Sequence, residues 1–289
     1  MRTVVADLYS VLKLRIGMAI ALSALAGFAI TPGGPVPAWK PTLLAIAILF
    51  ASGSAGAFNQ YVERDLDARM PRTRGRPFVR GAFRAGAPWL MAIALLLVFG
   101  VALAAIGLGR ISALHVFLGA FVYGVVYTVW LKRRTSLNIV IGGLSGSFAV
   151  LAGAAVVDPW PSALPLLLAL VLFLWTPPHF WSLALAMREE YAAADVPMLP
   201  VVIGDGRAAR VIFWHTMALV AVSLLPAFFG LGWIYLAAAL AGGAFFLYRS
   251  LLLAREPTVT RAWGAFHASL IQLSCVLGGA ILDGALGGW

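Results

Sequence analysis

A chain of 289 residues that is 62% hydrophobic and only 11% charged, with a mean hydropathy of +0.94, holds more apolar surface than one aqueous core can cover. Globular chains carry about a quarter charged residues and disordered ones more, so both classes are excluded and a bilayer protein is implied. A single cysteine, Cys275, rules out an internal disulfide and a thiolate metal cage, and a net charge of +10 points to nucleic acid only if the cations share one soluble face.

A hydrocarbon core of about 30 Å needs about 20 apolar residues per helix. Nine windows of that kind follow one another, near 11–31, 42–61, 88–108, 111–131, 137–157, 163–186, 210–229, 231–253 and 264–282. The expected fold is an all-α polytopic membrane protein of nine transmembrane helices, forming one domain over 1–289. The first window reaches spanning length without a clear cleavage site, so it reads as a retained helix. Short connections alternate with long polar ones, the main ones near 62–87 and 187–209. Of the 21 Lys and Arg residues, 19 fall on the side of the amino terminus and the long loops, leaving Lys40 and Arg110 opposite. That bias places the amino terminus in the cytoplasm and the carboxyl terminus across the membrane. The cations are thereby distributed over the loops of a membrane protein, and no nucleic-acid partner is expected. Lys13, Arg15 and Arg249 are read as topology signals.

The loop after the second window exceeds what topology requires. If the helix continues past the membrane surface, Asn59, Glu63 and Asp67 recur every fourth residue on one face, while Asp65 points elsewhere. An amide and two carboxylates are hard oxygen ligands of the kind Mg²⁺ takes together with phosphate oxygens. Arg72, Arg74, Arg76, Arg80 and Arg84 follow, with guanidinium forks that match phosphate. The bland alternative is a helix end laced with local ion pairs.

The fourth window ends in Lys132, Arg133 and Arg134, with Asn138 opening the next. These cations reach a diphosphate across the cytoplasmic mouth or simply obey the positive-inside rule. Gly142, Gly143, Gly146 and Gly153 then stand at near-helical spacing, read as close helix packing.

In the sixth window, Trp175-Thr-Pro-Pro-His-Phe-Trp181 removes two helix hydrogen bonds and predicts a kink, with His179 just beyond it. An ionisable group inside a span is a functional candidate by default. Glu190 lies eleven residues on, which in an unbroken helix is the same face, and Asp195 adds another acid. His115, His215 and His267 have no partner in sequence and read as satisfied buried residues, with contact to a heme as the alternative.

Three stretches, 59–77, 127–143 and 175–204, resemble the UbiA-type intramembrane prenyltransferases and, among them, the enzymes that farnesylate protoheme. The resemblance implies helices around a central cavity open to the cytoplasmic side, and an enzyme of the bacterial inner membrane. It implies Mg²⁺-dependent transfer of a farnesyl group from farnesyl diphosphate to a vinyl group of heme b, with addition of water, giving heme O for heme A synthase or terminal oxidase assembly. Carried over residue by residue, Asn59, Glu63 and Asp67 hold the metal, and Arg72, Arg76, Lys132 and Arg133 bind diphosphate. Asp67, Glu63, Lys132 and His179 are the catalytic set, and His179 and Trp181 contact heme. Glu63 departs from the Asp usual in the family, and Glu190 and Asp195 stand five apart where Asp-x-x-x-Asp is common, which puts a second metal site in question. Two rivals remain: a prenyltransferase using a quinone precursor or chlorin, and a secondary transporter. The transporter is disfavoured because the ionisable groups gather at one mouth.

Overall fold

The computed structural model describes residues 4–286, so Arg2, one of the amino-terminal cations, lies outside the described residues. Within them every regular element is helical. In chain order they are α1 (Val4–Val11), α2 (Leu14–Ala29), α3 (Lys40–Val62), α4 (Arg64–Arg69), α5 (Ala87–Gly107), α6 (Arg110–Phe121), a π-helix (Val122–Leu131), α7 (Asn138–Gly142) and α8 (Leu144–Ala154). Then come α9 (Ala163–Ala186), α10 (Arg188–Ala193), α11 (Leu199–Ile203), α12 (Asp205–Leu224), a 3₁₀ turn (Leu225–Phe229), α13 (Trp233–Arg255) and α14 (Val259–Leu286).

All nine apolar windows are helical, but seven helices pass as spans by length and apolarity. The first window is a pair, α1 and α2, bent by 47° at Leu12 and Lys13, and counts as an eighth span only if the pair is taken as one. The fifth window is shorter than expected: α7 and α8 together run only from Asn138 to Ala154. Helix α9 runs unbroken through Pro177 and Pro178, and the first break after it comes at Met187.

Two apolar cores organise the bundle. One joins α9, α12, α13 and α14 through residues such as Leu168, Ile212, Phe246 and Val276; the other joins α2, α3, α5, α6 and α8 through Ala24, Leu44, Ala104 and Ala149. Lipid tails are as apolar as leucine, so such helices associate through close packing rather than water exclusion. Where α2 crosses α8 the packing is backbone to backbone. A Cβ on Gly153 would lie 1.8 Å from the Ala24 carbonyl oxygen, and one on Gly27 would lie 2.1 Å from that of Val150. Of the glycines read as packing positions, Gly142 abuts Tyr127 and Gly143 abuts Thr176, whereas Gly146 has nothing nearer than 3.8 Å. Three of the four glycines, Gly142, Gly143 and Gly153, are therefore close-packing positions, and Gly146 is not. Gly153→Ala should lower stability in detergent by about 1–3 kcal/mol, the usual cost of overpacking, read as a fall in Tm. Gly146→Ala is the control and should leave Tm unchanged.

Candidate functional site

The segment from Asn59 to Asp67 keeps its register although the helix bends. Val62 closes α3 and α4 opens at Arg64, yet the Glu63 N–H donates to the Asn59 carbonyl at 2.9 Å and the Asp67 N–H donates to that of Glu63 at 2.7 Å. Asn59, Glu63 and Asp67 are all buried, Glu63 to 1% exposure. Asp65 points outward, as its place on the helix predicts.

Each buried oxygen ligand has its own cation. Lys132 Nζ donates to Glu63 Oε2 at 2.6 Å. Arg76 Nη1 donates to both Asp67 oxygens, at 2.8 and 2.7 Å. Lys13 Nζ donates to Asn59 Oδ1 and, at 2.9 Å, to the Tyr123 hydroxyl. Oppositely charged neighbours of this kind offset the cost of taking a carboxylate out of water. Two local devices make the arrangement. Lys13 adopts a left-handed conformation, φ 49°, between α1 and α2, which turns its side chain inward from a chain that would otherwise continue as helix. The π-helix offsets its bonding by one residue, so Thr128 Oγ1 donates to the Tyr123 carbonyl at 2.8 Å while accepting from Asn59 Nδ2 at 3.0 Å. Tyr123 and Tyr127 stack with centroids 5.7 Å apart, and Asn138 Nδ2 pins the basic turn by donating to the Thr135 carbonyl at 2.6 Å.

More charges converge here. Burial pushes the Tyr191 phenol up; Arg72 and Arg76 pull it back, and Glu63 and Glu190 push it further. Arg72 is exposed, and its charge reaches both Tyr191 and Lys13. Glu190 keeps one carboxylate oxygen buried with no hydrogen-bond partner, and so does Glu63, at Oε1. Among the described residues no three carboxylates, imidazoles or thiols gather as a metal cage. A metal here would depend on two carboxylates, the amide and substrate oxygens.

Several expected members stand apart. Arg133 forms a two-pronged pair with Asp65 at 2.8 and 2.9 Å, and the Asp65 side chain is 54% exposed. That hydrogen bond holds the Asp65 carboxyl down, to about 2. Asp195 is 84% exposed and pairs with Arg69 at 3.2 Å, so it does not join Glu190. Glu190 is not among the contacts of His179, and the helix between them is interrupted at Met187, although the Met187 N–H still donates to the Leu183 carbonyl at 3.0 Å and the Tyr191 N–H to that of Met187 at 3.2 Å. The contacts of His179 are instead Trp175, Phe180, Phe266 and the Ser269 hydroxyl. Trp181 faces His215 on α12, whereas His179 faces α14, so the two do not converge. Of the histidines read as packing residues, His267 is exposed, and His115 and His215 are half-buried.

Lys13, Tyr123 and Thr128 were not among the predicted site residues. The one available signal was a lysine interrupting apolar sequence at residue 13, which a topology rule explains equally well.

The description "UbiA prenyltransferase family" matches residues 20–274. The chain is 58% identical over 282 residues to "Protoheme IX farnesyltransferase 2" of Paramagnetospirillum magneticum, covering 97% of this chain and 98% of that one. It is 46% identical to "Protoheme IX farnesyltransferase 1" of the same organism, over 91% and 92% of the two chains. Among solved structures, a digeranylgeranylglyceryl phosphate synthase superposes with a TM-score of 0.79 at 17% identity, covering 97% of this chain and 98% of that one. A UbiA homolog from Archaeoglobus fulgidus bound to DMAPP and Mg²⁺ superposes at 0.71 and 14%, over 93% and 99%.

The ion pairs differ in what their loss costs. Lys132→Met strands a buried Glu63 charge and should destabilise by about 3–5 kcal/mol, whereas Arg133→Ala breaks an exposed pair and should cost at most about 1 kcal/mol. Thermal unfolding of both variants in one detergent checks the contrast.

Proposed function

Because the chain belongs to the UbiA prenyltransferase family, we propose that it transfers a farnesyl group from farnesyl diphosphate to a vinyl group of heme b. Water is added in the reaction, and the products are heme O and diphosphate. The observation that carries this reading is identity of 58% over nearly the whole length to a protoheme IX farnesyltransferase. The protein is an enzyme and an integral membrane protein.

The buried oxygen set fits Mg²⁺. Glu63 Oε1 is an orphaned buried oxygen, and the donors are hard oxygens on side chains that share one helical face. Asn59, Glu63 and Asp67 would hold the ion, with Glu190 rather than Asp195 the candidate for a second. When bound, Mg²⁺ supplies positive charge to the diphosphate oxygens.

Lys132, Arg72 and Arg76 bring three further cations to the same mouth, and Lys13 Nζ adds a hydrogen-bond donor. Their part is to receive the charge that develops as the allylic carbon–oxygen bond breaks and the diphosphate leaves with the electron pair. Arg133 is committed to Asp65 and is left out of this set. In the dry site these charges act more strongly than in water. The vinyl π electrons of heme b then form the new bond to the farnesyl carbon. Water adds to the resulting cation beside the porphyrin and loses a proton, leaving the hydroxyl of heme O. The stacked Tyr123 and Tyr127 wall the ionising carbon with π faces, which favour a passing carbocation. His179 is the residue expected to meet the porphyrin.

We further propose nine spans, with the bent α1–α2 pair and α7–α8 completing the seven, around a cavity open to the cytoplasm. The basic-residue bias supports that orientation, with the amino terminus cytoplasmic and the membrane the bacterial inner membrane. Heme O passes to heme A synthase or to terminal oxidase assembly.

Purified protein incubated with Mg²⁺, heme b and labelled farnesyl diphosphate should yield labelled heme O, and a quinone precursor run in parallel should stay unlabelled. Asp67→Asn should remove at least a hundredfold of the rate, roughly the 2.7 kcal/mol expected for one lost charge-stabilising group, while the protein remains folded in the membrane. Labelled quinone precursor with unmodified heme would refute the assignment.

A further inference from the structure

His179 is the one histidine of the buried set among the described residues, at 6% exposure. Both ring faces are covered. Trp175 stacks on one at a centroid distance of 4.1 Å and 19°, and Phe266 stacks at 4.6 Å and 25°, while Phe180 meets the ring edge-on at 4.9 Å. The clamp is itself anchored, because Trp175 Nε1 donates to the Ser269 carbonyl at 2.8 Å.

The hydrogen bonds decide which ring nitrogen carries the proton. Ser269 Oγ lies 2.6 Å from the Phe266 carbonyl oxygen, which can only accept, so the hydroxyl proton is spent there. His179 Nδ1 lies 2.7 Å from that same Oγ, which has only lone pairs left to offer. Nδ1 therefore donates. In the neutral ring the other nitrogen, Nε2, carries an in-plane lone pair. Among the described residues Nε2 makes no hydrogen bond, and it is not one of the sealed, unpartnered buried atoms. With both faces and the Nδ1 edge occupied, the residual exposure of the ring belongs to the Nε2 edge.

We infer that His179 Nε2 is an axial ligand of the iron of the heme substrate, and that Ser269 is a positioning residue holding the imidazole in the ligating tautomer. The inference rests on the reading that the chain acts on heme b. Imidazole suits iron, and an iron-bound histidine characteristically donates its other N–H to a fixed acceptor. A heme propionate needs a donor and would meet a lone pair. A proton-transfer role needs a path onward, and among the described residues Nε2 has no polar neighbour to carry one. Iron ligation would fix the porphyrin plane relative to α9 and so select which vinyl group faces the diphosphate mouth.

The test titrates the purified full chain with heme b and, separately, with metal-free protoporphyrin IX. Wild type should bind both, and bound heme should show the absorption spectrum of imidazole-ligated iron. His179→Ala should lose that spectrum and bind heme at least about tenfold more weakly, with metal-free protoporphyrin affinity unchanged. Added imidazole should restore the spectrum. His179→Met keeps the volume and should give a thioether-ligated spectrum, a gain that misfolding cannot mimic. Ser269→Ala should weaken heme binding by about tenfold and Ser269→Thr should rescue it. An unchanged heme spectrum in His179→Ala and His179→Met overturns the inference, as does equal weakening of both porphyrins. Wild type that binds neither porphyrin overturns the heme reading as well, so the two failures are distinct.

Discussion

The structure depends on the burial of three oxygen-bearing side chains at the end of α3. Glu63 and Asp67 lie almost wholly out of water, and unpaired carboxylates there would cost several kcal/mol each. They are tolerated because Lys132 and Arg76 sit at hydrogen-bond distance, and Asn59 is met by Lys13. Those partners come from three places in the chain: the α1–α2 bend, the loop after α4 and the turn that follows the π-helix. Much of the geometry at this end of the bundle follows from bringing them together.

That requirement accounts for the irregular backbone. A left-handed residue, a π-helix and a helix broken at Glu63 each depart from the regular helix that a bilayer favours, and all three cluster around the same oxygens. Departures of this kind are kept where the backbone lines a polar site. On the other side of α9 the surroundings are aromatic and apolar, and His179 there has ring stacking and one hydroxyl in place of charges. A cation-rich mouth beside an aromatic clamp suits a reaction that joins a diphosphate ester to a porphyrin.

What was legible in the sequence was whatever a local period can encode. The apolar windows found every long helix, and the four-residue spacing of Asn59, Glu63 and Asp67 survived the bend because the i to i+4 hydrogen bonds persist through it. The outward direction of Asp65 followed from the same geometry. What failed needed a partner distant in sequence. Lys13 looked like a topology residue because its bonds are to Asn59 and Tyr123, 46 and 110 residues away. The pairing of Arg133 with Asp65 was not legible either, because the two stand 68 residues apart. The interruption at Met187 has no Pro or Gly to announce it. The double proline lies within α9, which continues through it. In a bundle, neighbouring helices and local backbone adjustments tolerate such freed backbone groups.

The central claim is that the Asn59–Glu63–Asp67 face is a metal site completed by diphosphate rather than a structural ion-pair cluster. Electron paramagnetic resonance of Mn²⁺, used in place of Mg²⁺, titrated into purified protein with and without inorganic diphosphate tests it directly. The account predicts weak Mn²⁺ binding alone, because Lys132 and Arg76 already neutralise the carboxylates and Lys13 occupies the Asn59 oxygen. It predicts strong binding once diphosphate is present, lost in Asp67→Asn. Mn²⁺ binding that is indifferent to diphosphate and to Asp67→Asn would contradict it.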